Sequence, residues 1–160
     1  MRAWLLVSVL AVAACGGSST PMNGPTMSSK LGEDLGAPSV QSDDILGREA
    51  VTSHASVKHV LIAWRDLKGE IDPRAQKRTK AEASQIALEV LERLKKGEAI
   101  EPLMLQYSED PGSKDTGQAY DVAPDEALVF EFKRLSLRLN VGEAGIVESQ
   151  FGWHVIQRMK

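Results

Sequence analysis

The stretch Ser56 to Trp64 reads Ser-Val-Lys-His-Val-Leu-Ile-Ala-Trp, a nearly continuous apolar and β-branched run of strand length. A run of that kind is satisfied where both faces of the strand are covered, so it predicts a strand in the middle of a sheet. Period two puts Val57, His59 and Leu61 on one face and Val60, Ile62 and Trp64 on the other. A histidine therefore faces a core or a cleft.

After a polar loop from Arg65 to Arg78, Thr79 and Glu82 form a capping-box signature. Ala83, Ile86, Ala87, Val90, Leu91 and Leu94 follow at helical spacing, and Gly97 ends the run. A shorter helix is expected over Ile100 to Tyr107, then a turn-rich loop from Glu109 to Gly117 and a short strand near Ala119 to Val122. Leu128 to Leu139 predicts a short irregular helix, and Gly142 introduces two strands, Gly145 to Ser149 and Trp153 to Met159. The order β-α-α-β-α-β-β defines an α+β domain whose first and last strands share a sheet. His59 and His154 would then be neighbours, although either histidine alone is as readily a hydrogen-bonded core residue.

The chain of 160 residues has room for one such core. Met1 and Arg2 precede an apolar stretch, Ala3 to Ala14, too short for a permanent membrane helix and of signal-peptide form. Val12, Ala13 and Ala14 before Cys15 resemble the lipobox of bacterial lipoproteins, which implies cleavage of 1–14 and lipidation of Cys15. Gly16 and Gly17 resemble the default for outer-membrane sorting where a cell has two membranes. Residues 15–54, rich in Gly, Ser, Pro and Asp, are expected to be a flexible tether that allows a short helix of no assigned function around Ile45 to Val51, with 55–160 the working domain. A net charge of −3 offers no footprint for nucleic acid, and a single cysteine excludes an internal disulfide and a Cys/His zinc cluster.

Five stretches carry a family resemblance: Lys58-His59-Val60-Leu61-Ile62, Arg78 to Ala83, Gln106-Tyr107-Ser108-Glu109-Asp110-Pro111-Gly112-Ser113, Val141-Gly142-Glu143, and Gln150-Phe151-Gly152-Trp153-His154-Val155-Ile156. In this order they resemble the parvulin-type peptidyl-prolyl cis/trans isomerases, over about Ser56 to Lys160. The resemblance implies a parvulin-like fold of the FKBP-like superfold, with a four-stranded, mostly antiparallel sheet. It also implies rotation of the peptide bond before proline in unfolded or extended polypeptides, without cofactor or metal.

By position, His59 and His154 match the family's paired histidines and Asp110 the acid at the mouth of the site. Leu128 and Phe132 match its proline pocket, with Phe130 the competing phenylalanine, and Ser149 matches a hydroxyl beside the histidines. The segment Thr116-Gly117-Gln118-Ala119-Tyr120-Asp121 departs from the family's glycine-rich pattern, so the pocket wall falls to Ala119 or is reshaped by Tyr120. Arg65, Lys68, Arg74, Lys77 and Arg78 in the first loop are interleaved with acids and read as a solvated loop. Two functions follow: a folding catalyst for exported or envelope proteins, or a holdase that grips extended segments without useful turnover. A metal held by His59, His154 and Asp110 is conceivable chemically, yet imidazoles bonded to each other have little left to donate.

Overall fold

The computed structural model describes residues 39–69 and 71–160; the signal-peptide stretch and Cys15 lie outside them. Strand β1 spans Ala55–Ile62, helix α2 Lys80–Lys95, α3 Ile100–Tyr107, β2 Tyr120–Val122, α4 Phe130–Ser136, β3 Ala144–Ser149 and β4 Gly152–Arg158, with a four-residue helix α1, Asp43–Leu46, ahead of them. The sheet order is β2-β1-β4-β3, and every pairing is antiparallel. The first strand is central, as its apolar run requires.

The two faces of β1 serve two cores. Val60, Ile62 and Trp64 join Ile146, Trp153 and Val155 beneath α2 and α3. Val57 joins Val147 and Ile156 beneath α4, with Phe132, Leu135 and Leu139. Helix α2 opens with the reciprocal cap expected of its sequence: Glu82 N–H donates to Thr79 Oγ1 at 3.3 Å, and Thr79 N–H donates to Glu82 Oε2 at 2.7 Å.

Two expectations need adjusting. Helix α4 is shorter than Leu128 to Leu139, because Val129 is extended at its N-cap and the chain leaves through turns at Leu137 to Leu139. The folded unit also begins before Ala55. Ser42 N–H donates to Ile146 O at 2.9 Å, Ile146 N–H donates to Ser42 Oγ at 2.9 Å, and Ile45 and Leu46 are buried in the core under α4. Residues 41–46 thereby occupy the open edge of β3, where unpaired backbone groups would otherwise remain. Their few apolar residues lack a sustained period, which is why the sequence reads as tether up to this point.

Candidate active site

The site lies on the α4 face of the sheet, where β1 and β4 each present a histidine. The register pairs Leu61 with His154 and His59 with Ile156, so the two histidines are diagonal neighbours on one face. Their rings stack with centroids 5.3 Å apart and Nδ1 to Nδ1 at 3.3 Å, and both are almost fully buried. Ser149, at the end of β3, lies on the same face, with Oγ 2.7 Å from His154 Nε2.

Asp110 is delivered by the segment that follows α3. Glu109 N–H donates to Leu61 O at 2.9 Å, Leu61 N–H donates to Ser108 Oγ at 3.2 Å, and Ala63 N–H donates to Glu109 Oε2 at 2.8 Å. Ser108 and Glu109 thus extend the pairing of β1 and leave Asp110 beside His59, whose Nε2 is 3.2 Å from Asp110 Oδ2. Arg78 forms an ion pair with the buried Glu109 carboxylate, and Arg74 donates to the Gln106 and Ser108 carbonyls at 3.1 and 2.8 Å. Two of the five basic residues of the first loop are therefore spent on holding it against this segment. Lys68 lies exposed at the rim of the cleft.

An order of donors that satisfies every atom runs in one direction. Phe151 N–H donates to Ser149 Oγ at 3.0 Å, Ser149 O–H to His154 Nε2, His154 Nδ1–H to His59 Nδ1, and His59 Nε2–H to Asp110 Oδ2. Electrostatics agree with a neutral His154: burial first, and the neighbouring His59 second, push its pKa down to about 3. Burial alone would raise Asp110, but hydrogen bonds from His59, Ser113 and Tyr120 outweigh it and hold the carboxyl well below its ordinary range. Burial and the Asp110 carboxylate push the Tyr120 phenol up to about 12. All four nitrogens of the imidazole pair are engaged within this chain, and among the described residues no group of three or more His, Cys, Asp or Glu is arranged to hold a metal ion.

Above this floor is a cleft of about 440 Å3 walled by Tyr120, Leu128, Phe132 and Phe151. Phe132 is buried and stands edge-on to both imidazoles, at 5.0 and 5.4 Å, whereas Phe130 points to solvent with 69% of its surface exposed. Lys133 Nζ donates to the carbonyls of Pro124 and Glu126 at 2.8 and 3.0 Å, pinning the loop that carries Leu128 over the cleft. His59, His154, Asp110, Leu128 and Phe132 therefore converge, with Ser149 behind His154. Ala119 does not line the cleft; it precedes β2, and the first residue of that strand, Tyr120, takes the wall. Ser113 and Glu109 escaped prediction as site residues. The Asp110-Pro111-Gly112-Ser113 turn signal was visible, but the inward reach of the Ser113 hydroxyl was not.

The arrangement is a cleft walled largely by aromatic and aliphatic side chains over a fixed polar floor. A model of the PPIC-type PPIase domain matches residues 44–159, and the chain belongs to that family. It is 32% identical over 112 residues to the chaperone SurA of Pseudomonas aeruginosa, covering 69% of this chain and 24% of SurA. To foldase protein PrsA 4 of Bacillus cereus it is 31% identical over 122 residues, 74% of this chain and 44% of the foldase. Among solved structures, the peptidyl-prolyl isomerase ESS1 from Candida albicans superposes with a TM-score of 0.59 at 26% identity, over 68% of this chain and 63% of that one. The chain spans less than half the length of either SurA or PrsA 4.

Proposed function

We propose that this protein is a peptidyl-prolyl cis/trans isomerase that assists the folding of exported or envelope proteins. The observation that carries the reading is the buried His59–His154 pair joined to Asp110 directly beneath the Phe132 and Leu128 walls. A prolyl bond resists rotation because amide resonance makes its planar forms stable, with a barrier of about 18–20 kcal/mol. Planar amides are the more dipolar states and lose more by leaving water than the twisted one does. An apolar slot that seats the proline ring, while the flanking backbone stays anchored, therefore favours the twisted amide. His59, His154 and Asp110 keep the floor rigid and take no part in bond making.

Delivery to the envelope rests on residues 1–15. Removal of 1–14 and acylation of Cys15 would tether the domain to a membrane, the outer one in a two-membrane cell. Mass spectrometry of the mature N-terminus tests this: a diacylated or triacylated Cys15 is expected, and an unmodified residue there, or a retained 1–14, contradicts the anchor. Activity is tested by refolding a protein whose slow phase is prolyl isomerisation, a step of 10–100 s unaided. Catalytic amounts should shorten that phase. Suppressed aggregation with an unchanged slow phase would favour the holdase reading.

A further inference from the structure

Tyr120 enters the cleft from the edge strand β2, opposite Val57, on the face that also carries His59. Its phenol donates to Asp110 Oδ2 at 2.8 Å, where Ser113 Oγ donates at 2.6 Å and His59 Nε2 lies at 3.2 Å. Asp110 Oδ1 takes the Gly112 N–H at 3.3 Å. Three donors converging on one oxygen fix the rotation of the carboxylate and leave the other oxygen with the longer Gly112 bond. The tyrosine ring meets the rings of His59 and Phe132 edge-on, at 5.3 and 6.0 Å. One side chain thus touches the acid, an imidazole and the apolar wall.

Gly112 makes room for this. A Cβ there would lie 2.5 Å from the Tyr120 hydroxyl, and Gly112 is not among the glycines at positive φ, so it is space and not backbone conformation that excludes a side chain.

We propose that Tyr120 is a positioning residue of the isomerase site, holding Asp110 through its phenol and the His59 and Phe132 rings through its own ring, with Gly112 as the gap that lets it reach. The inference rests on the isomerase reading.

The test is a double-mutant cycle in the full chain, read in isomerisation kinetics and in thermal unfolding. Loss of one hydrogen bond to a charged group predicts that Tyr120→Phe lowers kcat/KM about three- to tenfold, mostly in kcat, with the circular dichroism unchanged. Gly112→Ala should cost more than Tyr120→Phe in both activity and unfolding temperature. The double variant should return to within about twofold of Tyr120→Phe alone, because the added methyl no longer meets a hydroxyl. Wild-type activity in Tyr120→Phe, or an equal cost of Gly112→Ala in both backgrounds, would overturn the inference. A wild-type protein that accelerates no prolyl peptide would instead overturn the isomerase reading, and the unfolding cycle would still decide the Gly112–Tyr120 contact.

Discussion

His59 and His154 bring their Nδ1 atoms to 3.3 Å although they are not cross-strand partners; the contact is a diagonal one, two residues off register. Its closeness depends on the antiparallel β1–β4 pairing, and Gly152 protects that pairing. A Cβ at Gly152 would lie 2.5 Å from Ile62 O, and its φ of 135° disfavours any side chain. Gly152→Ala should destabilise the protein by about 1–3 kcal/mol or more and weaken catalysis with it, measured by denaturant unfolding beside turnover.

Phe132 and Phe130 separate wall from surface. Phe132→Ala should cost about 3–5 kcal/mol, with loss of peptide affinity, because a buried ring against two imidazoles is removed. Phe130→Ala should stay within about 0.5 kcal/mol of wild type. Equal effects at the two positions would contradict the placement of the pocket.

Acid should destabilise the fold before ordinary carboxylates titrate. His154 has a folded pKa of about 3, below its ordinary 6.5. The unfolded chain therefore binds a proton that the folded chain refuses. The sign follows: stability is complete above 6.5 and is lost as pH falls from 6.5 toward 3, by up to about 1.4 kcal/mol per pH unit. Asp110, held low by its donors, adds loss of the same sign further into acid. Urea unfolding from pH 7.5 to 4.5 should show this slope, and His154→Gln should flatten it.

Ser149→Ala would leave His154 Nε2 and the Phe151 N–H without their buried partner. A cost of about 1–3 kcal/mol is expected, with Ser149→Thr retaining most of the stability, as read by thermal unfolding.

Much of this was legible in the chain. The apolar run Ser56 to Trp64 demanded a central strand, Thr79 and Glu82 announced α2, and period two put His59 on the face it occupies, with His154 brought beside it by the shared sheet of the first and last strands. What escaped depends on tertiary partners. Residues 41–46 have too few apolar positions to show a period, and they are ordered by the β3 edge they cover. Ala119 and Tyr120 lie either side of the start of β2, and a strand of three residues is too short to show locally where it begins or which way its first side chain faces. Ser108 and Glu109 looked like part of a turn, but they extend the pairing of β1 and bring Asp110 to His59.

The most direct measurement is NMR exchange spectroscopy of a short proline peptide, following its cis/trans interconversion with the wild-type protein, His59→Ala and Phe132→Ala. An isomerase site of this geometry should give exchange cross-peaks with wild type at catalytic concentration and lose them in both variants while these remain folded. Peptide binding by wild type without any exchange would contradict it.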